Sequence, residues 1–273
     1  ATGGSATGGS STGGATSTGG ATRGGTGGLA GESGESGGGT SGDGGDGGDG
    51  ASGAAGAGGE GGGSDEAREF LYITRLLGGV LSLELDPVSG VPHELETSPA
   101  SPGRFLYAVA IDPAEPFVFT ADPDPGGHID SYRIGADGSI AEAPNSALDL
   151  PESPITLAVD PGGHFVYVGR FDDHALRVFS IDAATGALTS VGDPIVLDTT
   201  PSFVAIDPTG RFLYGSHGLI DGIHGFRIGQ DGALQALAGP PFGTTSVRAG
   251  AMVFSPDGAR LYASGQALYA FSV

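Results

Sequence analysis

From about residue 69 onward the apolar positions come in short runs bounded by Asp, Pro and Gly, and the runs return in a fixed order. One run carries an aromatic at Tyr72, Phe119, Tyr167, Tyr214 and Tyr262, at steps of 47, 48, 47 and 48 residues. The next run carries its own marker at Leu83, Tyr132, Phe179, Phe226 and Phe271. Short Val-, Ile-, Phe- and Tyr-rich runs bounded by turn residues are the signature of β-strands. A fixed period in this range means one supersecondary unit copied and stacked. No stretch holds a helical period, so the expectation is an all-β chain.

The third unit shows the pattern best. Its strands are predicted at 155–159, 164–168, 176–181 and 188–191, here called A to D. The A–B turn recurs as Asp112-Pro113, Asp160-Pro161, Asp207-Pro208 and Ser255-Pro256, with Gly163, Gly210 and Gly258 following. Proline presets the turn, aspartate accepts from amides just ahead of it, and glycine takes positive φ at little cost. Four-stranded antiparallel units of this length close radially into a β-propeller. A β-sandwich is the runner-up, but a sandwich requires no regular period. The recurring aromatics then belong to blade-to-blade core. Arg133, Arg177 and Arg227 on strand C, with Arg248 ahead of the fifth strand A, are expected to ladder with acidic neighbours on a solvent face.

Residues 1–64 are of another kind. They hold 30 of the 55 glycines and no aromatic, and Leu29 is their only large aliphatic. Such a segment cannot bury enough apolar surface to offset the entropy of ordering it. The expectation is a disordered Gly/Ser/Thr-rich linker over 1–64 and a propeller over 65–273. The Asp/Gly run from Gly42 to Asp49 is similar to calcium-binding repeats but lacks their apolar position, so it reads as linker.

The net charge is −21 and every basic residue is Arg, which disfavours nucleic acid as a partner. No apolar run approaches the length of a membrane span. There is no cysteine, so thiol nucleophiles and Cys-based metal sites are excluded. Met252 is the only methionine, so the expectation is that Ala1 is not the translation start. A long tether ahead of a folded domain suggests an extracytoplasmic setting: secreted, periplasmic or held at the cell envelope.

The phrases Ile206-Asp207-Pro208-Thr209-Gly210-Arg211-Phe212-Leu213-Tyr214 and Val178-Phe179-Ser180-Ile181-Asp182, and the opening Phe70-Leu71-Tyr72-Ile73-Thr74, resemble the seven-bladed lactonase propellers. That group includes bacterial 6-phosphogluconolactonase and the fungal muconate-lactonizing enzyme. The resemblance implies seven blades in the complete fold, of which four to five are present, with entry at strand B of the first blade. The last unit stops in strand C at Val273, so the expectation is C-terminal truncation relative to that ring. Catalytic members of the group usually carry His-x-His on a strand A. The corresponding places here hold Phe105 and Tyr107, then Ile155, Ser202 and Gly250. The group's Asn-Arg pair after strand B is matched in part by Gly169-Arg170.

In a propeller the B–C and D–A loops open on one face. Polar side chains gather in the predicted B–C loops: Asp122, Asp124 and His128; Arg170, Asp172, Asp173 and His174; His217, Asp221 and His224. Arg170 and His174 are the candidates for catalysis, Arg170 as an anion partner and His174 as acid or base. Asp122, His128, Asp172, Asp173, His217, Asp221 and His224 are candidates for ligand binding. No metal site and no cofactor are assigned, although His and carboxylates on one rim suit a divalent cation. No Gly-x-Ser-x-Gly, phosphate loop or HExxH element occurs. Two functions follow: a tethered propeller binding a protein or glycan through its loop face, with degenerate catalytic motifs, or a hydrolase opening a small sugar lactone.

Overall fold

The structure, a computed structural model, describes residues 54–55, 68–75, 77–98, 100, 104–124, 126–217, 222–239, 242, 250–265 and 267–273. The rest of the 1–64 segment, with its Asp/Gly run, lies outside the described residues, as do Asp221 and Arg248.

Nineteen strands form five antiparallel sheets among the described residues, with no helix. Blade I holds β1 (Ala54–Ala55), β2 (Glu69–Arg75), β3 (Gly79–Leu85) and β4 (Pro92–Glu94). Blade II holds β5 (Ala108–Ile111), β6 (Phe117–Asp122), β7 (His128–Ile134) and β8 (Ile140–Asp149). Blade III holds β9 (Pro154–Val159), β10 (Phe165–Arg170), β11 (Ala175–Ile181) and β12 (Leu188–Val196). Blade IV holds β13 (Phe203–Ile206), β14 (Phe212–Ser216), β15 (Ile223–Ile228) and β16 (Leu234–Ala236). Blade V holds β17 (Met252–Phe254), β18 (Arg260–Ser264) and β19 (Leu268–Ser272). Each sheet is a meander, and the inner strands β1, β5, β9, β13 and β17 stand side by side, which is the β-propeller arrangement. Ala54–Ala55, inside the stretch read as linker, pairs with Tyr72 and Leu71 and takes the strand A place of blade I.

The core lies between blades. Phe117, Phe119 and Ile129 of blade II pack with Leu157, Val166, Val168 and Phe179 of blade III. Tyr72 and Val80 of blade I meet Val109, Val118 and Tyr132 of blade II. Tyr167, Leu176 and Val178 of blade III meet Leu213 and Phe226 of blade IV. Of the periodic aromatics, Tyr72, Phe119 and Tyr167 are buried core and Tyr214 packs partly buried against the blade V cluster; a fully buried Phe or Leu here contributes about 1.5–3 kcal/mol.

The A–B turns work through the aspartate. Asp160 Oδ1 accepts from the amides of His164 and Phe165 at 2.7 and 2.6 Å, and Asp207 Oδ1 does the same for Arg211 and Phe212. Ser255 takes this place in blade V, its Oγ accepting from Arg260 N at 3.0 Å. Gly163, Gly210 and Gly258 sit at φ of 67°, 69° and 69°, the conformation the turn needs.

Two of the strand-C arginines, Arg133 and Arg227, pack on aromatic rings in place of the expected acidic ladder. Arg133 lies over the Phe117 ring at 4.6 Å, and Arg227 over Phe212 at 5.4 Å. A planar, weakly hydrated guanidinium gains from an aromatic face while still shielding it from water. Arg133 also donates to the Ala184 carbonyl of the next blade.

Candidate functional site

Strand B places one polar residue three positions beyond its aromatic: Asp122 after Phe119, Arg170 after Tyr167 and His217 after Tyr214. All three are buried, at 1%, 0% and 0% exposure. Asp122 and Arg170 end β6 and β10 rather than lying in loops, and His217 directly follows β14. His128 likewise opens β7, and His224 lies within β15. The ladders therefore run further toward this face than turn signals indicate, because each buried polar end finds a partner in the loop that leads into its own blade.

In blade II that partner is Arg104. Its guanidinium lies 2.9 Å from Asp122 and 2.8 Å from Asp130. Asp122 Oδ1 also accepts from the Asp124 amide. Burial raises the Asp130 pKa above the ordinary carboxylate value, against the opposing charge and hydrogen bond of Arg104. Burial also works against Arg104's charge, yet Asp130 and Asp122 lift its pKa above the usual arginine value. His128 Nδ1 lies 2.8 Å from Asp149 Oδ1. Together Arg104, His128, Asp130, Glu142, Ser146 and Asp149 line an open cleft of about 380 Å³.

Blade III encloses its arginine. Arg170 lies 2.5 Å from a Glu152 carboxylate oxygen and is ion-paired to Asp173. Asp172 accepts from the Ser153 amide at 2.8 Å, and hydrogen bonding from Ser153 holds its pKa below the ordinary value. His174 is exposed, at a φ of 53°, and its carbonyl accepts from Leu197 N. Arg170 and His174, the two catalytic candidates, thus face different surroundings: one is sealed between carboxylates, the other open to solvent.

Blade IV buries His217, whose Nδ1 lies 2.8 Å from the Thr200 carbonyl. The His224 ring stands 4.7 Å away, nearly perpendicular at 88°. Burial pushes both imidazoles below the ordinary histidine pKa; the Thr200 carbonyl opposes this at His217 and the Asp198 charge opposes it at His224. Asp221, the third candidate here, lies outside the described residues.

Asp122, Arg170 and His217 each find their polar partners within their own blade and the loop that leads into it. Among the described residues no group of three or more His, Cys, Asp or Glu is placed to hold a metal ion, and no helix is long and apolar enough to cross a membrane. Tyr107, Ser202 and Gly250 donate backbone hydrogen bonds to Ala121, Ser216 and Ser264, so they occupy equivalent places at the head of strand A. Sequence reasoning missed Arg104, Asp130, Glu152 and Thr200. The common offset of Asp122, Arg170 and His217 from the aromatics was the signal that three buried polar residues needed partners from the preceding loops.

The profile described as lactonase, seven-bladed β-propeller, matches residues 70–201. A search of curated proteins gave no match. Similar solved structures include a 6-phosphogluconolactonase candidate from Bacteroides uniformis, with TM-score 0.61 and 20% identity over 75% of this chain and 64% of the other. A functionally unknown protein from Desulfotomaculum acetoxidans gives 0.61 at 19% identity, over 74% and 62%. The periplasmic gluconolactonase of Pseudomonas aeruginosa gives 0.59 at 17%, over 76% and 63%. The chain spans less than two thirds of each of these structures.

Proposed function

We propose that this chain, a lactonase-family propeller by its match over residues 70–201, acts as a binding propeller that takes a small sugar-like ligand on its loop face without turning it over. The observation that carries this reading is the enclosure of Arg170 between Glu152 and Asp173. A guanidinium engaged by two carboxylates has little charge left to offer a substrate carboxylate or phosphate. The blade II cleft is the better receptor. Its carboxylates, serine and arginine match the hydroxyl groups of a sugar or sugar acid, and its volume suits a ligand of that size. The Gly/Ser/Thr-rich segment supports an extracytoplasmic, tethered setting, as does the likeness to the periplasmic gluconolactonase of Pseudomonas aeruginosa.

A second reading is favoured by one specific contact. His128, oriented by Asp149 at 2.8 Å, lines the same cleft and could take a proton from a water attacking a lactone carbonyl. The family match and two of the neighbours' descriptions, as a 6-phosphogluconolactonase candidate and a gluconolactonase, lean the same way. Calorimetry and pH-stat assay against a panel of aldonolactones and their open acids separate the two. Binding lost in Glu142→Gln, with no acid released above the uncatalysed rate, supports the binding propeller. Turnover that disappears in His128→Gln replaces it with the hydrolase.

A further inference from the structure

His217 and His224 stand together at the head of blade IV, their rings 4.7 Å apart, and a backbone carbonyl sets the tautomer of His217. The Thr200 carbonyl can only accept, so His217 Nδ1 carries the ring proton and Nε2 carries the free lone pair. That Nε2 is buried and has no hydrogen-bond partner among the described residues. A buried acceptor without a donor is rare in folded proteins and asks what it faces. His224 is directly opposite Gly215 in the β14–β15 pair, and His217 is two residues beyond Gly215. Side chains at directly opposed positions, and at every second position along a strand, share one face of the sheet. Gly215 therefore leaves a gap on the face that carries both imidazoles, and a Cβ built there meets nothing within 4 Å.

The geometry points to a transition-metal site: His217 Nε2 and one nitrogen of His224 ligate a divalent cation in the space beside Gly215, with copper(II) preferred over nickel(II) and zinc(II). Neutral imidazole suits these ions, and copper(II) heads the affinity order for a given nitrogen site. A metal-binding histidine whose other ring nitrogen donates to a backbone carbonyl is the arrangement already present at Thr200. No third described His, Cys, Asp or Glu completes the set, so solvent or an incoming ligand fills the remaining positions. The strong negative charge of the chain raises the local concentration of cations.

The test titrates copper(II) salt alone, in weakly chelating buffer, into the full chain. One stoichiometric site with two equatorial nitrogens in its electron paramagnetic resonance spectrum is expected. His224→Gln should weaken binding by about tenfold or more. Gly215→Val keeps both histidines, suits a strand and fills the gap, so it should weaken binding as much. His128→Gln and His174→Gln should leave the affinity unchanged. Wild-type affinity in both His224→Gln and Gly215→Val, loss that follows His128 or His174, or no stoichiometric binding at all overturns the site. Circular dichroism of each variant confirms that the fold is intact before its affinity is compared.

Discussion

The Tyr167 hydroxyl donates a 3.1 Å hydrogen bond to the Gly232 carbonyl, so strand B of blade III is latched to the C–D turn of blade IV. Tyr72 of blade I does the same to Gly138 in the C–D turn of blade II, at 2.9 Å. Blade II has Phe119 at this position and no hydroxyl to give. Ser131, the cross-strand partner of Phe119, supplies it instead and donates to Gly186 at 2.8 Å. The latch is thus kept while the residue that makes it moves to the neighbouring strand. Burial raises the phenol pKa of Tyr72 to about 12 and that of Tyr167 further, so both donors keep their protons at any ordinary pH.

The glycine matters as much as the hydroxyl. Gly232 has a φ of 80°, and a Cβ there would lie 2.5 Å from the Phe165 ring. Gly232→Ala therefore meets backbone strain and a steric clash together, with an expected loss of about 2–4 kcal/mol. Tyr167→Phe should cost about 1–2 kcal/mol, because the ring still packs and one buried hydrogen bond is lost. Urea unfolding of the two variants checks the order. Equal losses would mean that the turn relaxes and the close approach to Phe165 is not what matters.

Arg170 is expected to behave as a structural residue. Replacing it with Ala leaves Glu152 and Asp173 facing each other across the space of a fully buried guanidinium, and breaking a buried pair costs about 3–5 kcal/mol. Both carboxylates keep some exposure, so the lower end of that range is expected. Arg170→Lys should recover part of the loss, because one ammonium cannot span both carboxylates as a planar fork does. Thermal unfolding gives the answer: a variant Arg170→Ala as stable as the parent would show that the arginine is free for a ligand after all.

The repeat period, the A–B turns and the aromatic core are legible in the sequence because each is a local rule repeated: Asp-Pro-x-Gly sets a turn wherever it occurs, and Phe or Tyr at a fixed offset is buried wherever blades meet. The polar rim is not legible in the same way. Asp122 and Arg170 read as loop residues because charged side chains ordinarily end strands. They lie inside strands here because Arg104 and Glu152, 18 residues before each of them, neutralise them. Arg133 and Arg227 read as partners for acids, yet each lies over the aromatic directly opposite it on strand B, Phe117 and Phe212, a pairing set by the register of the hairpin. For Asp122 and Arg170 the partner depends on which loop folds over the strand end, and no spacing rule encodes that.

Arg104 offers a pH test of the same point. Asp130 is buried and its folded-state pKa is raised, so its contribution to stability is fully present below the ordinary carboxylate pKa and is lost as pH rises through the raised value. Arg104 limits that loss, helped by His128 and opposed by Asp122, while Glu142 and Asp149 add negative charge around the cleft. Arg104→Gln removes the cation and leaves Asp122 and Asp130 as two buried carboxylates side by side. The variant should fall short of the parent by about 2–4 kcal/mol at neutral pH. The gap should narrow as the pH is lowered through the raised pKa of Asp130, because protonating Asp130 removes the charge that needs a partner. Urea unfolding of both proteins across this range measures it. A gap that stays constant with pH would assign the role of Arg104 to packing of its aliphatic stem, and a gap that widens in acid would reverse the sign of the coupling.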